Sequence, residues 1–168
     1  MDDLDSAVYY SAWNACIAET IKRFPVDLYH INDYHGAAAP LYLLPQTIPV
    51  ALSLHNAEFQ GLWPMRTPKE SDEVSKVFNL DMSIVESYIQ FGEVFNLLHA
   101  AASYLRVHQR GFGAVGVSNK YGERSYARYP IFVRRFLFLD STCKSRGLTN
   151  GPEVGFEENR TITEPGPE

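Results

Sequence analysis

Residues 26–61, VDLYHINDYHGAAAPLYLLPQTIPVALSLHNAEFQG, predict an α/β fold built on a parallel sheet. Two apolar runs, VDLYHI and IPVALSL, have the length and the Val, Ile, Leu and Tyr content of buried strands. Strands apolar on both faces suit a parallel sheet. The intervening AAAPLYLLPQ reads as a short helix. The segment is therefore strand, helix, strand, a unit whose crossover is right-handed in nearly all proteins. Each run ends in a polar cluster, Asn32-Asp33-Tyr34-His35-Gly36 after the first and His55-Asn56-Ala57-Glu58 after the second. Ligands of such sheets sit outside the carboxyl ends of the strands. The pattern thus places His35 and His55 on one rim.

The other elements follow in order. Residues 5–24 predict an amphipathic helix, with Val8, Ala12, Trp13, Cys16, Ile17, Thr20, Ile21 and Phe24 at helical spacing. Asp5 or Ser6 caps it, Lys22 and Arg23 suit its negative end, and Pro25 stops it. A doubly wound domain that opens on a helix lacks its first strand. Gly36 and the three alanines after the first strand allow a close helix start whose N–H groups would face the rim as an anion site. Residues 60–66 read as a loop. Thr67-Pro68-Lys69-Glu70 is a helix start, with Thr67 as cap, Pro68 in the first helical position and Glu70 closing a capping box; that helix carries Val74, Val77 and Phe78 and ends near Asn79. Residues 81–90 predict a short helix with Ile84, Val85, Tyr88 and Ile89 apolar. Residues 96–109 predict a longer one with Leu97, Leu98, Ala101, Leu105 and His108 on a stripe, ended by Gly111. GAVGVS, residues 113–118, is a third buried strand, and residues 119–129 the helix after it, capped by Ser118 or Asn119. From Val133 the character changes to a basic-apolar patch and then a Gly, Pro, Thr and Glu tail. Roughly the last 25 residues are expected to bury too little apolar surface to order themselves.

At 168 residues the chain is about one domain. A net charge of -5 disfavours a nucleic-acid partner. The 2 cysteines, Cys16 and Cys143, offer no disulfide framework, which makes a reducing, intracellular setting the default. No apolar run approaches the ~20 residues of a membrane span, and the acidic N-terminus lacks the basic start of a signal peptide.

His30-x-x-Asp33-Tyr34-His35 followed by Gly-Ala-Ala-Ala-Pro, then His55-Asn56-x-x-x-Gln60-Gly61, resembles the N-terminal domain of bacterial glycogen synthases and plant starch synthases. Their pattern is His-x-His-Asp-Trp-His and His-Asn followed by Tyr-Gln-Gly. GAVGVSNKYGERS is similar to that family's Val-Ser strand end and following helix. The wording DLYHINDYHGAAAPLYLLP, LSLHNAEFQGLWPMRT and NLLHAAASYLRVHQRGFGAVGVSNKYG is more similar still to the synthase domain of fungal alpha-1,3-glucan synthases. The resemblance covers residues 5–132. It implies a GT-B fold, two Rossmann-like domains facing one cleft, and a retaining transfer of glucose from a nucleotide sugar, UDP-glucose above all, to a growing alpha-glucan. Residues 1–132 would then be a partial Rossmann-like parallel sheet with flanking helices, the N-terminal half of a GT-B fold, and residues 133–168 a divergent, irregular, disordered tail. The family's Lys-x-Gly-Gly-Leu loop has no counterpart before Asp5, and the C-terminal Rossmann domain that holds most of the donor nucleotide is missing. The abrupt departure after Phe132 is read as an incomplete gene model, a frameshift or an unspliced intron. The isolated chain is expected to be inactive. Full-length members of the fungal type are large membrane proteins with this domain on the cytoplasmic side of the plasma membrane.

His35 is the first catalytic candidate. The matching histidine of the family lies beside the donor hexose, where a neutral imidazole or a backbone carbonyl can stabilise positive charge at the anomeric carbon. The alternative is a histidine that only caps the next helix. Asp33 either orients His35 or binds sugar hydroxyls, or is a turn residue. His55 and Asn56 are candidates for binding donor or acceptor glucose, against a satisfied strand-end pair. Glu58, Gln60 and Trp63 would line an acceptor groove, Trp63 by stacking or else by packing. Asn96 and His99 open the helix that faces the cleft in the family. Ser118 ends the third strand at the same rim or caps a helix, and His30 belongs to the core or to the layer behind the site. Asp33, His35, His55 and Glu58 also resemble strand-end ligands of dinuclear metallohydrolases, but the further ligands those enzymes need are missing, so no metal or other cofactor is expected. A glucan-binding or unstable truncated product is the alternative to an enzyme.

Overall fold

The computed structural model describes residues 3–118, 121, 122, 125, 146 and 147. In chain order the elements are α1 (Leu4–Arg23), β1 (Tyr29–Asn32), a 3-10 helix (Ala39–Leu43), β2 (Val50–Leu54), β3 (Leu62–Pro64) and α2 (Pro68–Phe78). There follow α3 (Met82–Ile84), which runs into a π-helical turn (Val85–Ile89), then β4 (Gln90–Phe91), β5 (Val94–Asn96), α4 (Leu97–Gln109), β6 (Ala114–Gly116) and β7 (Arg146–Gly147). The expected helix over 119–129 and most of the tail lie outside the described residues. Two tail residues, Arg146 and Gly147, form β7.

β1, β2, β6 and β7 make a parallel sheet in that order. The steps from β1 to β2 and from β2 to β6 go the same way across the sheet, so right-handed crossovers put both of these connections on one face. Tyr29, Ile31, Val50, Leu52 and Leu54 point to that face, by the alternation of strands and the pairing of Tyr29 with Val50. There Ile31, Leu52 and Leu54 join one core with Ala37, Ala38, Leu41, Leu98, Ala101 and Leu105. The opposite face carries His30, Asn32, Ala51, Ser53 and His55, of which His30, Asn32 and His55 are exposed. The expectation that the strands are buried on both faces is thus corrected for β1, whose polar residues alternate outward.

α1 starts one residue earlier than expected and its cap is Asp3, not Asp5 or Ser6. The Asp3 carboxylate accepts from the Ser6 N–H at 2.8 Å. The buried side of α1 is Ala7, Asn14, Ala18 and Ile21, whereas Val8, Trp13, Cys16 and Phe24 of the expected stripe are exposed. Close approach to the 3-10 helix and α2 selects small side chains on the contact side, and this overrides the larger apolar stripe. α2 begins as the sequence predicts, with the Thr67 and Glu70 capping box formed and Asn79 left-handed at its end. α4 is capped by Asn96 and tied to β2 at its far end. There the Gln109 amide accepts from Val50 N–H at 2.6 Å and donates to Val50 C=O at 2.9 Å.

A second, antiparallel sheet in the order β3-β5-β4 was not expected, since residues 60–66 read as a loop. Its strands are two or three residues long, too short for a period to show. Gly92, at φ 64°, opens the two-residue turn between β4 and β5. The sheet seats Trp63 and Phe95 beside Phe78 in the core.

The loop after β1 is closed by Tyr29, whose hydroxyl donates to the Gly36 carbonyl at 2.9 Å. Burial pushes the Tyr29 phenol up to about 12. A Cβ on Gly36 would lie 2.2 Å from that hydroxyl oxygen. Gly36→Ala should therefore destabilise by about 1–3 kcal/mol. Tyr29→Phe, which removes the obstructing oxygen, should recover part of that loss in the double variant, a non-additivity readable in a urea-denaturation cycle.

His108 packs against Tyr104 and receives or gives a hydrogen bond at 3.0 Å with the Tyr88 hydroxyl. Burial holds its pKa below the ordinary value. Unfolding frees the ring to bind a proton near pH 6.5. The contribution of neutral His108 is therefore fully present above that pH and is lost as pH falls toward the lower folded-state value. His108→Gln should flatten this acid limb in a pH series of thermal melts, and leave the neutral-pH slope unchanged.

Candidate functional site

β1 and β2 run parallel and side by side, so Asn32 and Leu54 deliver the following residues to one edge. Asp33 is the fastening between them. Its backbone is left-handed, at φ 51°, which an L-residue other than glycine adopts at a cost of about 1 kcal/mol. That conformation turns the side chain across to β2, where Asp33 Oδ1 accepts from the N–H groups of His55 at 2.8 Å and Asn56 at 3.0 Å. Hydrogen bonds to a charged acceptor contribute about 1.5–3 kcal/mol each, enough to offset the strain. Asp33 is buried and does not touch the His35 ring through a hydrogen bond, so the expectation that it orients that ring directly is corrected.

The residue that joins the two histidines is Asn32, which no local sequence pattern singles out. Its backbone carbonyl lies 3.3 Å from His35 Nδ1, and its side-chain Oδ1 lies 2.9 Å from His55 Nε2. Both oxygens only accept, so neutral His35 carries its proton on Nδ1 and neutral His55 on Nε2. His35 Nε2 and His55 Nδ1 are left as lone-pair nitrogens, able to accept from hydroxyl groups. His35 is exposed and stacks on Tyr34, with ring centroids 4.3 Å apart and an interplanar angle of 22°. His55, Asn56 and Glu58 are exposed as well. His30 stands behind them on β1, 2.7 Å from the Ser53 hydroxyl.

Other candidates have structural duties. Trp63 is 1% exposed and its indole N–H donates to Asp3 C=O, so it is a core residue and not the wall of a groove. Gln60 braces the loop: its Nε2 donates to Ala57 C=O and its Oε1 accepts from Asn96 Nδ2. Asn96 and His99 are buried and do not face a cleft here. Asn96 caps α4 through the His99 N–H, and the His99 ring lies between Ile89 C=O at 3.1 Å and the Ser103 hydroxyl at 3.2 Å. Ser118 reaches the rim beside Leu54, whose carbonyl accepts from Val117 N–H, and its hydroxyl accepts from Tyr121 N–H as a cap.

The expected anion site before the 3-10 helix is corrected as well. The N–H groups of Ala37 and Ala39 donate to Tyr34 and Gly36 carbonyls, and that of Ala38 to the Asn14 side chain, so none is offered to the rim. Among the described residues no three of His, Cys, Asp and Glu gather closely enough to hold a metal ion, and no helix is long and apolar enough to cross a membrane.

The model of the starch synthase catalytic domain matches residues 1–107. The cell wall alpha-1,3-glucan synthase ags1 of Schizosaccharomyces pombe is 72% identical over 132 residues, which is 79% of this chain and 6% of that protein. The alpha-1,3-glucan synthase mok13 of the same yeast is 69% identical, again over 79% of this chain and 6% of its own length. A glycogen synthase of Caldicellulosiruptor saccharolyticus is 26% identical over 71% of this chain and 29% of its own length. The chain thus spans a small part of the relatives that it matches. With the family model covering well over half of its residues, and with its polar clusters gathered at the carboxyl ends of parallel strands, the chain belongs to the starch synthase catalytic domain family.

Proposed function

We propose that this chain is part of a retaining glucosyltransferase that moves glucose from a nucleotide sugar, UDP-glucose, to an alpha-glucan, as in alpha-1,3-glucan synthesis for a fungal cell wall. The observation that carries the reading is the pair of exposed imidazoles fixed in complementary tautomers by Asn32. The two remaining ring nitrogens, on residues exposed together with Asn56 and Glu58, suit a ligand rich in hydroxyl groups. In this reading His35 faces the donor hexose and favours the transition state by its neutral ring, since positive charge grows at the anomeric carbon as the bond to phosphate breaks. His55 and Asn56 position sugar hydroxyls. Asp33 acts through the backbone, by holding the two strand ends at one height. The names of the yeast relatives support the glucan, and the glycogen synthases support glucosyl transfer. The longer protein would work at the cytoplasmic face of the plasma membrane.

Transfer requires donor and acceptor to be held together. A second Rossmann-like domain would hold the donor nucleotide, and a rim of parallel strands alone does not. The purified chain is therefore expected to give no glucan from UDP-glucose, and turnover by it would refute the two-domain cleft. A second reading, a glucan-binding product without catalysis, draws on the same pair of exposed imidazoles. The two share one test. Histidine-ring NMR signals of His35 and His55 should move when a malto-oligosaccharide or UDP-glucose is added, and His35→Ala should weaken that binding about tenfold, the loss of roughly 1.4 kcal/mol. If neither sugar moves either ring, the carbohydrate site is refuted.

A further inference from the structure

We infer that Asn14 and Tyr10, one turn apart on α1, are positioning residues for His35; this rests on the carbohydrate reading of the rim. Asn14 is 0% exposed in the middle of a helix, where an amide is costly unless every polar atom is used. Its Nδ2 donates to Tyr10 C=O at 2.8 Å and to the carbonyl of His35 itself at 3.1 Å, while its Oδ1 accepts from Ala38 N–H at 2.9 Å. One side chain thus spans the loop that carries His35, from both ends. Tyr10 acts on the ring instead of the backbone. Its hydroxyl lies 3.0 Å from that of Tyr34, its ring meets Tyr34 edge-on at 5.2 Å, and Tyr34 is the platform on which the His35 ring stacks. The Tyr10 ring also stands 5.9 Å from the imidazole. α1 therefore templates His35 twice, through its carbonyl and through its stacking partner. A leucine at position 14 would serve packing alone, so the buried amide is explained by what it holds.

The test uses the full chain with two variants. Tyr10→Phe removes only the hydroxyl, and Asn14→Asp keeps the acceptor for Ala38 while deleting both donors. Stacking over the Tyr34 ring shifts the His35 ring protons upfield. The expected result is loss of that upfield shift in both variants, with His30 and His55 signals unchanged, and binding of malto-oligosaccharide weakened about fivefold for Tyr10→Phe, as for one lost hydrogen bond. Should Asn14→Asp not fold, Tyr10→Phe still decides. Variants that melt earlier but keep the wild-type His35 signals would overturn the inference and leave Asn14 and Tyr10 as packing residues. If the ring signals respond as stated but no sugar moves them in the wild type, the positioning stands and the carbohydrate reading fails.

Discussion

The Asp33 carboxylate holds the site together. Parallel neighbours deliver their ends to one edge, but the chain beyond each strand is free to diverge unless something ties it. Asp33 supplies the tie by bonding two consecutive N–H groups on the other strand, at 2.8 and 3.0 Å. Its left-handed backbone is the local cost. Two charge-assisted bonds exceed that cost, so the strained conformation is the stable one. With His55 and Asn56 held at that height, Asn32 comes within reach of both imidazoles, and the tautomer of each ring follows.

Small side chains give the site its rigid back. Ala37, Ala38 and Ala39 are fully buried behind the loop, and Ala100, Ala101 and Ala102 on α4 are buried likewise. A methyl side chain loses no rotamer freedom on burial and lets helices lie close to the strand ends. The same closeness explains why α1 turns Ala7, Asn14 and Ala18 inward in place of Val8 and Trp13.

Among the described residues the sheet is covered from one face because of its order. β1, β2 and β6 progress in a single direction, and the right-handed connections between them gather on that face. The other face carries the polar alternation of β1 and β2, His30 with Ser53 and Asn32 with His55. The rim histidines belong to different segments of the chain, one in the loop beyond β1 and one at the end of β2. They meet because Asn32 stands at the edge between them.

The sequence by itself determined the parallel pairing, the strand ends, the α2 capping box and the shared rim of His35 and His55. Each of these follows from a local signal: an apolar run, a cap at fixed spacing, a polar cluster at a strand end. Tertiary structure alone decided which candidates face outward. Trp63, Asn96 and His99 carry the same chemistry as rim residues, yet the short antiparallel sheet and the packing of α4 bury them. It also decided the roles of Asn14 and Asn32, since a lone amide in a helix or strand has no periodic signature. Hydrogen-bond partners 21 to 24 residues away along the chain are fixed by packing, which no local pattern encodes.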